Sequence, residues 1–229
     1  MTICIIPARG GSKRIPRKNI KEFCGKPMIQ WSIEAARRAN IFDHIIVSTD
    51  DDEIGEFAKS LDALVPFKRP QNLSNDHANT TDVIAHATEW AMNTGLNCEI
   101  LCCLYATSPF VQTSDLVKAY NTIISQEWDF VFSAGEYSSS IFRSFKKISS
   151  GGVEMFFPEH SKTRSQDLPA ALFDAGMFYM GTSNAWSKKL RIFDKNSFPI
   201  IIPSWRVQDI DTLEDWKRAE SMASYILNL

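Results

Sequence analysis

The chain has 229 residues, 44% hydrophobic and 23% charged, with a formal net charge of −2. That balance supplies a sizeable core for one large α/β domain. It argues against a nucleic-acid partner, which calls for a broad positive face, and no apolar run reaches membrane-spanning length.

Met1 leads directly into Ile3–Ile6, an apolar run that reads as a buried strand, so no signal peptide is expected. Gly10 and Gly11 follow, where the backbone can turn tightly or approach a ligand closely. Arg9, Lys13, Arg14, Arg17 and Lys18 crowd cations around that turn. Like charges so close repel unless water, salt or an anion compensates them. A solvated basic loop is the plain reading, but its place after a strand, with glycines at the turn, favours a phosphate site. The segment is neither a Walker loop nor a dinucleotide fingerprint. Pro16 disfavours a long helix starting at the glycines. The anion is therefore expected on side-chain cations and loop amides rather than on a helix N-terminus.

Pro27 at a first helical turn, with Ile29, Ile33 and Ala36 at helical spacing, predicts a helix reaching Asn40. Ile45–Val47 is a second strand, ending in Ser48-Thr49-Asp50, and Asp51–Leu61 is a helix with an acidic first turn. Ala63–Phe67 reads as a short third strand, Asn79–Asn93 as a helix closed by Gly95, and Ile100–Leu104 as a central strand. Ser114–Ser125 is helical and Trp128–Ser133 is another strand. The alternation predicts a three-layer, mostly parallel sheet of Rossmann-like kind, covered on both faces, with ligands beyond the carboxyl ends of its strands. Pro7–Asn19, Ser48–Asp50, Tyr105–Phe110 and Ala134–Glu136 are expected to converge there.

The rhythm breaks near Gly135. Residues 136–172 form an excursion within a single domain spanning 1–229, with a hairpin between Phe142–Ile148 and Val153–Phe157. Its apolar side chains either fold back on the sheet or are covered by a second subunit. Phe173–Met180 and Ile200–Ile202 return to the sheet, and Thr212–Leu227 is the last helix. Five cysteines without CxxC spacing point to a reducing cytoplasm and away from zinc, and the four histidines are dispersed.

Asp209-Ile210-Asp211 is the second strong feature. In an extended segment both carboxylates face one way, and two hard oxygen ligands suit Mg²⁺. The competing reading is capping: Thr212 and Asp215 form a capping box, with Asp211 near the helix's positive end. Capping leaves Asp209 unexplained, which favours the metal. Asp50 is either a residue at a helix start or a ribose or metal contact.

The run Ile6-Pro7-Ala8-Arg9-Gly10-Gly11-Ser12-Lys13-Arg14-Ile15-Pro16-Arg17-Lys18-Asn19 resembles the N-terminal signature of the CMP-sugar synthetases that activate sialic-acid-like nonulosonates. The likeness continues through Ser48-Thr49-Asp50, Arg69-Pro70, Thr107-Ser108-Pro109, Asp174-Ala175-Gly176 and Asp209-Ile210-Asp211. Ile15-Pro16-Arg17-Lys18-Asn19-Ile20-Lys21 and Arg164–Leu168 are most similar to the family's bacterial pseudaminic acid branch.

The resemblance implies a nucleotidyltransferase fold and a reaction in which the 2-hydroxyl of a nonulosonic acid attacks the α-phosphate of CTP. It implies that Arg9, Lys13 and Lys18 contact the triphosphate near Gly11, Ser12 and Asn19, and that Asp209 and Asp211 hold Mg²⁺. Ala8, Gly10, Arg69 and Ser74 to Thr80 would surround the cytidine, and Asp50 would also touch substrate. Tyr105, Thr107 and Ser108 would flank the sugar, with Asp174 nearby. A homodimer is implied too, its projecting element reaching the partner's site. Tyr105-Ala106 stands where sialic-acid synthetases have Gln-Pro, an arginine near Phe173 is absent, and Met177 replaces a glutamine expected in the pseudaminate branch. N-acetylneuraminate and legionaminate are the alternative acceptors, and a non-catalytic CTP-binding regulator is the alternative of another class. Arg143 and Arg164 are candidates for the sugar carboxylate, with solvated surface charge as the plainer reading.

Overall fold

The computed structural model describes residues 1–227. Its strands are β1 (Thr2–Pro7), β2 (Glu22–Phe23), β3 (Lys26–Pro27), β4 (His44–Ser48), β5 (Ile100–Leu104), β6 (Phe130–Glu136), β7 (Phe145–Lys147), β8 (Val153–Met155), β9 (Leu172–Thr182) and β10 (Ser197–Ile201). Its helices are α1 (Met28–Ala39), α2 (Asp52–Ser60), α3 (Thr80–Asn93), α4 (Thr113–Ser125), α5 (Ser183–Ser187) and α6 (Leu213–Leu227). Six strands form one sheet in the order β10-β6-β9-β5-β1-β4. All neighbours run parallel except β9, which is antiparallel to both β5 and β6.

Alternation along β1 sets the two flanking layers, since successive side chains leave opposite faces of a strand. Cys4 and Ile6 enter a core shared with Ile29 and Ile33 of α1, Leu116 of α4 and Trp216 of α6. Ile3 and Ile5 enter the opposite core, with Ile84 and Ala87 of α3 and Trp186 of α5. The helices begin where their sequence says they should: Asp51 accepts the Ile54 N–H (3.0 Å) and Asn79 accepts the Asp82 N–H (2.8 Å).

Ala63–Phe67 is not a strand. Only the isolated bridges Ile46↔Leu64 and Thr49↔Lys68 form there, because Pro66 lacks the N–H that a continuous ladder needs. β6 runs past Ser133 to Glu136, where it pairs with the start of β9. Gly135 makes that close pairing possible: a Cβ there would lie 2.4 Å from the Phe173 ring. β7 and β8 form the expected hairpin as a separate two-stranded sheet. Phe145, Val153 and Phe156 remain 62%, 64% and 57% exposed, so the hairpin does not fold back onto the chain's own sheet.

Candidate active site

The carboxyl ends of β1 and β5 open onto a cleft of about 290 Å³. Its walls are the loop after β1, the segment 69–80 and the turn after β5, with Asp211 reaching in from the far end of the chain. This is the expected position, beyond the carboxyl edge of an open α/β sheet. Arg9, Ser12, Lys13, Lys18 and Asn19 line it from the first loop. Arg69, Thr80, Tyr105 and Thr107 complete the set that the sequence brings to this cleft.

The cations there are compensated by two carboxylates. Asp76 takes Arg9 Nη1 on Oδ1 (2.8 Å) and Lys13 Nζ on Oδ2 (2.5 Å). Asp211 takes Arg14 Nη1 (2.8 Å) and Lys18 Nζ (3.3 Å), and Lys18 also donates to the Ile210 carbonyl (2.8 Å). Asn19 is buried and donates from Nδ2 to the Arg9 carbonyl (2.9 Å), so it shapes the loop from behind. Arg17 does not join the cluster. It turns at φ 55° and pairs with Asp51 (2.5 Å) and Glu53 at the start of α2.

The two glycines differ in purpose. A Cβ on Gly10 would come within 2.5 Å of the Asp51 carboxylate, whereas one on Gly11 would meet nothing within 4 Å. Gly10 also donates its N–H to Asp50 Oδ1 (3.0 Å), so Asp50 braces the loop rather than lining the cleft. Ala8 is fully buried and hydrogen-bonds through its N–H to the Ser48 carbonyl, leaving it behind the wall.

Arg69 has only 5% of its surface exposed. Its Nε donates to Ser74 Oγ (3.2 Å), its Nη2 lies 3.7 Å from Asp50 Oδ1, and that nitrogen has no hydrogen-bond partner among the described residues. Burial lowers its pKa, opposed by the charge of Asp50. Asp50 thus meets the charge of the buried guanidinium at ion-pair distance without closing a hydrogen bond to that nitrogen. Ser74 itself stays outside the cleft, holding the Arg69 side chain.

On the opposite side, the Tyr105 hydroxyl and Thr80 Oγ1 share a hydrogen bond (2.5 Å). Burial pushes the Tyr105 pKa up to about 12, which keeps the phenol neutral. Tyr105 meets Tyr179 edge to face at 5.6 Å, and Tyr179 donates its O–H to Asp174 Oδ2 (2.6 Å). Asp174 is therefore held beside this pair, outside the cleft's own lining. Ser108 is buried and donates to the Met177 carbonyl (3.3 Å), which gives it a structural part. Arg164 is a surface cation paired with Asp167 (2.8 Å), and Arg143 reaches only Ser165.

The capping reading of the 209–212 segment holds. Thr212 and Asp215 exchange the reciprocal bonds of a capping box, with Thr212 N to Asp215 Oδ2 at 2.8 Å and Asp215 N to Thr212 Oγ1 at 3.2 Å. That cap leaves Asp211 free to face the cleft cations. Asp209 does not line the cleft. Desolvation first, and then the negative charge of Asp211, raise the Asp209 pKa, with Lys18 and Arg14 pulling the other way. Two mutually repelling carboxylates offering only oxygen donors fit a hard divalent cation that takes its other ligands from water and substrate. Among the described residues, no group of three or more His, Cys, Asp or Glu side chains forms a metal cage.

Sequence reasoning missed the fastener behind this segment. Arg206 and Asp115 are both buried and joined by two bonds, Nη1 to Oδ2 at 2.6 Å and Nη2 to Oδ1 at 3.0 Å. Asp115 also takes the Gln112 N–H in the cap of α4, so the pair ties the turn before Asp209 to that helix. The cap is legible in the sequence; the partner 91 residues away is not.

The chain is 45% identical over 218 residues to a protein named pseudaminic acid cytidylyltransferase from Campylobacter jejuni subsp. jejuni serotype O:2, covering 95% of this chain and 94% of that one. It is 34% identical to N-acylneuraminate cytidylyltransferase A of Danio rerio, covering 94% of this chain and 49% of that one. A solved CMP:2-keto-3-deoxy-manno-octonic acid synthetase complexed with CTP shares the fold, with a TM-score of 0.73 at 16% identity and 98% of each chain covered. The family model described as cytidylyltransferase matches residues 3–177, and the chain belongs to that family.

Proposed function

We propose that the protein transfers CMP from CTP to the 2-hydroxyl of a nonulosonic acid, with pseudaminic acid as the acceptor. The observation that carries this reading is one cleft in which Arg9, Lys13, Arg14 and Lys18 converge with Asp211 and the buried Arg69. Family membership and the similarity to the Campylobacter protein support the nucleotide and the acceptor.

In this reading the acceptor oxygen forms a bond to the α-phosphorus of CTP. The bond from that phosphorus to the bridging oxygen breaks, and its electron pair leaves with pyrophosphate. The acceptor's hydroxyl proton passes to a base or to solvent. Arg9, Lys13 and Lys18 bind the triphosphate, hold the leaving group in line and offset its charge, which is most of what such a transfer asks of a protein. Arg69, held by Asp50 and Ser74, stands in the wall on the nucleotide side, and Tyr105, neutral at working pH, presents its hydroxyl with Thr80 at the acceptor side. Asp209 and Asp211 would hold Mg²⁺, which supplies positive charge to phosphate oxygens when bound.

The exposed apolar hairpin β7–β8 supports a homodimer, and five free thiols suit a cytoplasmic enzyme. The test is pyrophosphate release with CTP, Mg²⁺ and a panel of pseudaminic, legionaminic and N-acetylneuraminic acids. Release with pseudaminic acid is expected. Preference for another panel member would move the acceptor, and no release with any would overturn the reaction.

A further inference from the structure

Arg9 and Lys13 already share one anion, and the protein supplies it. Asp76 spans the cleft to hold both cations, one on each carboxylate oxygen. The loop that carries it is braced from within: Asn75 Oδ1 accepts the N–H groups of His77 (2.8 Å) and Ala78 (3.1 Å), and Asn75 Nδ2 donates to the Asn72 carbonyl (2.9 Å). Asp76 is thus presented to the cations by a preformed turn. The two cations draw its pKa down, so it stays ionised.

We propose that Asp76 is an internal stand-in for the nucleotide's phosphates. It holds Arg9 and Lys13 in place before nucleotide binds, yields them to an incoming polyphosphate, and takes them back as pyrophosphate leaves. This inference rests on the cleft being the triphosphate site. The pairs suit such an exchange because they are exposed, with side-chain exposures of 36% for Arg9, 80% for Lys13 and 43% for Asp76. Exposed pairs are weak and screened by salt, so a ligand carrying several phosphate charges outcompetes a single carboxylate. A buried pair would have closed the cleft outright. Asp76 therefore sets the strength with which the cleft grips any polyphosphate, substrate or product alike.

The experiment is calorimetric titration of the full chain without metal at low ionic strength. The proteins are wild type, Asp76→Asn and Asp82→Asn, and the ligands are CTP, pyrophosphate and cytidine. Asp82 serves as a nearby-charge control because its carboxylate pairs with Lys189 (2.5 Å), away from the cleft cations. Asp76→Asn should bind CTP and pyrophosphate about 3- to 10-fold tighter, the range that two exposed ion pairs supply. Cytidine should bind unchanged, and Asp82→Asn should match wild type. Equal or weaker CTP and pyrophosphate binding by Asp76→Asn overturns the proposal, as does an equal gain in Asp82→Asn or for cytidine. If neither wild type nor Asp76→Asn binds CTP while pyrophosphate binding still tightens, the nucleotide reading falls and the stand-in survives.

Discussion

Arg17 shows how one backbone angle reassigns a charge. At φ 55° it leaves the cation cluster and clasps Asp51, which also caps α2. The Arg17 hydrogen bond is the largest cause holding the Asp51 pKa down, to about 2 against an ordinary 3.8. Because the folded pKa is depressed, this contribution to stability is whole above about pH 4 and is lost as pH falls towards 2. Arg17→Ala should cost about 1 kcal/mol at pH 7 in urea unfolding, since the pair is partly exposed. The gap to wild type should close between about pH 4 and 2, and a gap that persists there would contradict the assignment. Arg206 is a stronger case. Arg206→Met strands the buried Asp115 carboxylate and should cost about 3–5 kcal/mol, while replacing both residues with apolar ones should recover most of it. Denaturant midpoints of the single and double variants test this. Neither partnership is legible in the sequence, because both join residues remote in the chain that only the finished fold brings together.

Among the elements, the ones that announced themselves were those whose signal is local. Ile100–Leu104 is a strand with the bounds its apolar run predicts, and Asn79 and Asp51 cap the helices that follow them. Ala63–Phe67 has the apolar content of a strand, but Pro66 interrupts the ladder and leaves isolated bridges. The antiparallel β9 could not be told from a parallel strand, since direction is decided by the long excursion before it. The hairpin in that excursion was legible from its turn, but its position was not. Phe145 and Val153 lie exposed on β7 and β8, facing no core of their own chain. A second copy covering them predicts a light-scattering mass twice the 25.9 kDa of one chain. Changing Phe145 and Val153 together to Ser should halve that mass with helical content unchanged. A dimer that survives the change would place the interface elsewhere.

For the whole molecule, the cleft joins two ends of the sequence: a basic loop after the first strand and an acidic pair before the last helix. Lys18 reaches Asp211 across 193 positions of chain, and the sheet order sets β1 between β5 and the edge strand β4. Much of the candidate site was legible as a motif, since residue types and spacing named the cations and Asp211, while Tyr105 came only from the family resemblance. Placement behind the wall, as for Ala8, Ser108 and Asp50, was not, because burial is a property of the packed sheet. The central claim is that this cleft joins CTP to an acidic sugar with the help of Asp211. Its most direct test is the rate of pyrophosphate release by Asp211→Ala beside wild type, with CTP, Mg²⁺ and pseudaminic acid, after circular dichroism confirms the fold. The account predicts a rate lower by at least about 100-fold, the scale of losing the cation that Asp211 would hold against the charge developing on the phosphates. A rate close to wild type would contradict it and leave Asp211 as no more than a neighbour of the α6 cap.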